Sequence, residues 1–195
     1  MANLHFHYGV MGSLKSVSLI SSEFNFRKTG VKVEVLKPSF DNRFSESEVV
    51  SRMGGPENMI RTPAIALPSL DNYSPKKDTK VLLIDEVQFF KPSDIDKLVK
   101  FADEMGIIVM CYGLTVDSNE HLFPAAQRLM EVGATLHLIE SNCQKPGCLR
   151  KATHHLRYDK NRKLIREGEQ FSIGDESYES VCRKCFNQAY YGKSK

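Results

Sequence analysis

Apolar and polar residues alternate over Leu4–Tyr8, the spacing of a strand with one buried face. Beyond a short glycine-containing loop, Val17, Ile20 and Phe24 recur at helical spacing and predict a helix over Ser16–Arg27, stopped at Thr29 and Gly30. Lys32–Leu36 reads as a second strand. The stretch from Pro38 to Pro56 is polar, rich in Ser, Asp, Glu and Arg, and too long for an ordinary connection, which leaves disorder or a functional lid. Ala64–Leu67 reads as a short strand between prolines, and Ser69–Lys80 as a polar approach to the apolar run that opens at Val81. That run is too short for a typical helix and ends in Asp85 and Glu86, so it predicts a buried parallel strand whose carboxyl end carries two acids. Ser93 can cap a helix reaching about Glu104, closed by Met105 and Gly106. Ile107–Tyr112 is another buried strand, Pro124–Val132 a helix ended by Gly133, and Thr135–Ile139 the last strand. The repeated alternation predicts a parallel sheet in a three-layer α/β arrangement up to about residue 140.

Composition narrows the classes. A chain of 195 residues, 41% hydrophobic, can bury one medium core and support a small added module. A net charge of +3 is too small to make nucleic acid the main partner, and the basic residues form no continuous patch. No apolar stretch approaches the roughly 20 residues that span a bilayer, and the N-terminus, with His5 and His7, lacks a signal-peptide layout. The expected compartment is the cytoplasm.

Chemistry concentrates at two strand ends. Gly9, Val10, Met11, Gly12, Ser13, Leu14, Lys15 and Ser16 follow the phosphate-loop pattern of glycine, four residues, glycine, lysine and serine, except that Leu14 stands where the second glycine belongs. Backbone N–H groups at a helix start can cradle phosphate oxygens, Lys15 can neutralise them, and the Ser16 hydroxyl can sit on Mg²⁺. A leucine at position 14 must take an unusual backbone conformation or point away from the phosphates. At the other strand end, Asp85 is placed to hold the metal of a phosphoryl-transfer site, with Glu86 beside it facing an acceptor. Taken alone, the strand end reads as solvated charges; together with the loop it reads as a site.

Four cysteines form two close pairs, Cys143 with Cys148 and Cys182 with Cys185. Two such knuckles make a tetrahedral structural zinc site, and a small module needs such a staple. Free thiols or disulfides are the alternative, and an intracellular setting disfavours disulfides. His154 and His155 could compete as ligands. Cys111 lies within an apolar strand and reads as a buried small side chain.

The loop Gly9–Ser16, the triplet Asp41, Asn42 and Arg43, the strand end Asp85–Phe89, the triplet Tyr112, Gly113 and Leu114, and the segments Ile173–Tyr178 and Ser180–Arg183 occur in a familiar order. It is that of the zinc-containing thymidine kinases of the cellular and bacterial type, which the chain resembles over nearly its whole length, with a variant phosphate-binding loop. The resemblance implies a P-loop, RecA-like α/β domain over residues 1–140, its mainly parallel sheet flanked by helices. It also implies a zinc-binding domain over residues 141–195 whose lasso loop closes over the nucleoside. The implied reaction moves the γ-phosphoryl group of ATP to the 5′-hydroxyl of thymidine, or of deoxyuridine, in nucleotide salvage.

In that frame Glu86 is the general base, Lys15 and Arg43 act on the transferring phosphate, and Asp85, Ser16, Asp41 and Gln88 lie with the loop around Mg-ATP. Met11, Phe89, Leu114, Ser118, Phe123, Ser172, Ile173, Gly174 and Tyr178 line the nucleoside pocket. Cys143, Cys148, Cys182 and Cys185 hold a structural zinc. Family analogy further implies a homotetramer inhibited by dTTP. Ser118 falls where the family usually has a phenylalanine flanking the base, and Cys143 and Cys148 are more widely spaced than usual. Leu14 and Ser118 leave two readings open, an active kinase and an impaired homologue that binds nucleotide or nucleoside as a regulator.

Overall fold

The computed structural model describes residues 3–41, 45–51, 53, 55, 57–167, 170 and 177–192. In chain order the elements are β1 (Leu4–Tyr8), α1 (Lys15–Lys28), β2 (Val33–Pro38), β3 (Glu48–Ser51), β4 (Ile60–Pro63), β5 (Ile65–Leu67) and β6 (Val81–Ile84). A 3₁₀ turn at Val87–Phe89 leads to α2 (Pro92–Asp103), β7 (Ile108–Gly113), α3 (Pro124–Glu131), β8 (Thr135–Leu138), β9 (His154–Tyr158), β10 (Ser177–Val181) and α4 (Arg183–Tyr191).

Six strands form one sheet in the order β5-β2-β6-β7-β1-β8, and every pairing in it is parallel. The apolar run Val81–Ile84 is buried at every position because helices cover both faces of its strand. On one face Leu4, Phe6, Leu82, Ile84 and Val109 pack against Ile95 and Leu98 of α2 and Ala125 and Leu129 of α3. On the other, Val33, Val35, Val81, Leu83 and Tyr112 pack against Leu19 of α1 and Val49 of β3. These are the three layers that the alternation predicts. Cys111 sits within the first of these clusters, fully buried as expected.

The structure departs from the sequence reading in three places. Ser93 does not cap α2; Asp94 does, its carboxylate accepting from Lys91 N at 3.0 Å and from Leu70 N at 2.7 Å, with Pro92 opening the helix. The polar stretch 38–56 contains strand β3, which pairs antiparallel with β4 as a hairpin packed on α1. β8 is not the last strand, since β9 and β10 form a separate antiparallel pair joined to α4 through a small core of Leu156, Val181 and Phe186.

Candidate active site

The chain leaving β1 at Tyr8 curls before it enters α1, with Ser13 N donating to Val10 O at 3.2 Å and Ser18 N to Leu14 O at 3.0 Å. Gly9 is fixed by space: a Cβ there would lie 2.4 Å from the Ile139 carbonyl oxygen and 2.5 Å from Ser13 Oγ. Position 14 is fixed by backbone. Leu14 adopts φ 66° and ψ 29°, the left-handed conformation glycine takes freely, and its side chain is exposed. The unusual conformation foreseen for it is the one it takes, at a cost of about 1–2 kcal/mol to an L-residue. Ser13 is 2% exposed, and its Oγ has no hydrogen-bond partner.

Lys15 opens α1 inside this curl, its Nζ donating to Val10 O at 2.8 Å and Gly9 O at 3.5 Å. Burial lowers its pKa, against the opposing pull of Glu86 and Asp85. Ser16, on the next position, points its Oγ to Asp85 Oδ2 at 3.4 Å. Asp85 follows β6, its N–H held by Leu36 O at 2.9 Å. Burial, and after it the neighbouring charges of Glu86 and Asp41, raise its carboxyl pKa to about 7. A buried carboxylate crowded by two others is relieved by a cation, so the donor set Ser16, Asp85 and Asp41 fits Mg²⁺.

Glu86 also stands at positive φ, 47°. Its Oε2 accepts from Gln88 Nε2 at 2.6 Å, while Gln88 Oε1 accepts from Leu114 N at 3.0 Å. Gln88 thus ties the end of β6 to the end of β7, and Gly113 leaves room for it, since a Cβ there would meet Gln88 Oε1 at 2.4 Å. Met11, Gly12, Ser13, Leu14, Lys15, Ser16, Asp41, Asp85 and Glu86 line one cavity of about 310 Å³. Lys37 and β3 complete its wall, a contribution the sequence reading missed. Buried Lys37 donates to Ser45 O at 2.8 Å and Glu48 O at 3.2 Å and so pins the hairpin beside the phosphate loop.

The residues expected at the nucleoside fall into two groups. Met11, Phe89, Leu114 and Phe123 belong to one apolar cluster, Phe89 meeting Phe123 edge-on at 6.0 Å and Phe40 at 5.3 Å. Tyr178 lies on β10, edge-on to His155 at 5.9 Å, and Ser180 on the same strand donates its Oγ to Met11 O at 2.5 Å. That bond brings the second group to the first. Ser118 is buried in the loop after β7. Arg43, Ser172, Ile173 and Gly174 lie outside the described residues.

Cys143, Cys148, Cys182 and Cys185 bring their Sγ atoms within 4.8 Å of one another, the one such cluster among the described residues. Cys148 lies 3.8 Å from Cys182 and 3.9 Å from Cys185, far beyond a disulfide bond and close to the edge of a tetrahedron with Zn–S bonds of about 2.3 Å. The donor set fits a closed structural zinc. Neither histidine competes. His154 pairs with Glu120 at 3.1 Å and lies tilted against Phe186 at 4.8 Å, and His155 faces Tyr178. Burial pushes the pKa of His155 down to about 4, and its Nδ1 has no hydrogen-bond partner.

Comparison with known proteins agrees with this geometry. The sequence profile of the thymidine kinase family matches residues 2–186. A thymidine kinase of Shewanella oneidensis is 36% identical over 96% of this chain and 98% of its own length. One from Rhodopirellula baltica is 33% identical over 100% and 92%, and one from Enterobacteria phage T4 is 34% identical over 96% and 97%. Among the described residues no helix is long and apolar enough to cross a membrane.

Proposed function

This chain belongs to the thymidine kinase family, and from that we propose that it transfers the γ-phosphoryl group of ATP to the 5′-hydroxyl of thymidine, with deoxyuridine as the alternative acceptor, in nucleotide salvage. The observation that carries this reading is the convergence of Lys15, Ser16, Asp85 and Glu86 on one cavity beneath the loop Met11–Leu14. Backbone N–H groups at the start of α1 bind the phosphate oxygens, and Lys15 exchanges its loop carbonyls for them. Ser16 and Asp85, with Asp41 nearby, would hold Mg²⁺, which would supply charge neutralisation to the transferring group. Glu86, oriented by Gln88, accepts the proton of the 5′-hydroxyl as the new P–O bond forms and the bond to the ADP leaving oxygen breaks. Arg43 adds positive charge at the same phosphate.

Met11, Phe89, Leu114 and Phe123 supply the apolar wall for the base, and Ser118, Tyr178 and the segment Ser172–Gly174 close the pocket. Cys143, Cys148, Cys182 and Cys185 hold zinc for structure, leaving no open position for catalysis. The family further supports a cytoplasmic homotetramer inhibited by dTTP, with residues 1–140 as the kinase domain and 141–195 as the zinc and lasso domain.

Support for activity over an impaired homologue comes from Leu14, whose φ of 66° keeps the loop backbone in the conformation a glycine would give it. Labelled thymidine incubated with Mg-ATP is expected to yield dTMP, and Glu86→Gln to lower kcat by at least about 100-fold without loss of fold. Folded, zinc-loaded protein that is stabilised by thymidine or ATP but forms no product would transfer the assignment to a regulatory binder.

A further inference from the structure

The loop that follows β7 is fastened to the zinc module by side chains at its tip, Glu120 making two of the three bonds. Within the loop, Asp117 Oδ1 accepts from Asn119 N at 2.8 Å and His121 N at 2.9 Å, and Val116 bridges to Leu122, so residues 116–122 form a closed turn carrying buried Ser118. From the tip of this turn Glu120 reaches across. Its Oε1 meets His154 Nε2 of β9 at 3.1 Å, and its Oε2 accepts from Tyr191 OH of α4 at 2.8 Å. Neighbouring Asn119 accepts from Tyr190 OH at 3.0 Å. The partners are themselves held: His154 by Thr153 Oγ1 at 2.8 Å and by its contact with Phe186, and α4 by starting between Cys182 and Cys185.

Glu120 does this from φ 66°, a conformation unfavourable for an L-residue outside a tight turn. A residue kept there with both carboxylate oxygens engaged, in a turn that also carries a pocket residue, points to a positioning task. We propose that Glu120 is a positioning residue for nucleoside binding. By bridging His154 and Tyr191 it locks the turn 116–122, and Ser118 with it, to the zinc module, so that the nucleoside pocket keeps its shape before the nucleoside arrives. This rests on the kinase reading above and adds to it a residue that never touches substrate.

Three variants separate position from stability. Glu120→Ala removes the bridge. Glu120→Gln keeps an acceptor for Tyr191 and a side-chain partner for His154. Glu120→Gly removes the bridge and relieves the positive φ. The expected result is a thymidine KM raised about 5-fold to 20-fold in the alanine and glycine variants, with kcat within about 2-fold and the ATP KM unchanged, less than the full loss of a hydrogen bond to a charged group because Glu120 acts on the pocket only through the turn.

Glutamine is expected to restore most of the wild-type KM. Glycine is the decisive variant, because relief of the positive φ should leave it more stable than Glu120→Ala while it loses as much thymidine affinity. A wild-type thymidine KM in Glu120→Gly, or a fall in kcat at constant KM, overturns the proposal. Wild-type protein that neither binds nor phosphorylates thymidine fails the kinase reading instead. Amide hydrogen exchange at Asn119 and His121 then judges the fastening by itself: faster exchange in the alanine and glycine variants upholds it, and unchanged exchange removes it.

Discussion

Leu14 and Glu86 flank the phosphate cavity in left-handed backbone, at φ 66° and 47°. Such strain persists only where the surroundings fix it, and it gathers at sites of function. At Leu14 the exposed side chain gives up little packing if removed. Its conformation costs about 1–2 kcal/mol and a glycine's extra unfolded freedom about 0.5–1 kcal/mol, so Leu14→Gly is expected to stabilise by up to about 1.5 kcal/mol in denaturant titration. The ATP KM should not worsen. A destabilised variant would mean that the leucine side chain packs against something worth more than its backbone strain.

Asp85 gives a second prediction at this scale. Its carboxyl titrates near 3.9 in an unfolded chain but is raised to about 7 in the fold. Between those values the folded state holds a proton that the unfolded state releases, so the cost to stability grows as pH rises and is complete above about 7. Asp85→Asn is expected to raise the Tm of the metal-free protein at pH 8, by a smaller margin at pH 5, and Mg²⁺ should narrow the gap at pH 8 by stabilising the wild type alone. The same residues show what a sequence displays. Lys15, Ser16, Asp85 and Glu86 are legible because a loop pattern and an acid-ended apolar run carry them. Lys37 is not, because only the parallel register of β2 against β6 brings it to the cavity.

β9, β10 and α4 form an element group that periodicity does not reveal. Among the described residues their fully buried core is Leu156, Val181 and Phe186 with Cys143 and Cys182, edged by half-buried Tyr158, Leu164, Ala189 and Tyr190. The pairing of the cysteines is therefore legible where the strands are not. Because so small a core supplies little folding energy, the metal must supply the remainder. Cys185→Ser is expected to lower bound zinc from about one per chain towards none, by metal analysis. Ser180 sits on the strand this metal steadies and bonds to Met11 O in the phosphate loop. Chelation of zinc is thus expected to raise the thymidine KM more than the ATP KM; an equal effect on both would show that the module supports the whole fold rather than one pocket.

Across the molecule, acid should act through histidine. His7 stacks between Tyr112 at 4.6 Å and His137 at 4.4 Å, and burial together with His137 and His5 lowers its pKa to about 4. His155 is lowered to about 4 as well, chiefly by burial. Each is neutral in the fold, so its contribution is complete above about pH 6.5 and is lost as pH falls towards 4. Asp85 works in the opposite direction over part of that window, so a variant isolates the effect better than the wild-type curve. His7→Phe is expected to lose less Tm than the wild type between pH 7.5 and 5.5, and an equal loss would acquit the histidine. The strand order has a consequence in time. β1 lies between β7 and β8, pairing Leu4 with Val109 and His5 with Thr135. A nascent chain halted near residue 104 contains the entire phosphate loop and neither of the strands that hold it. The loop is made well before the strands that shape it, and nucleotide binding has to wait until β8 has been synthesised.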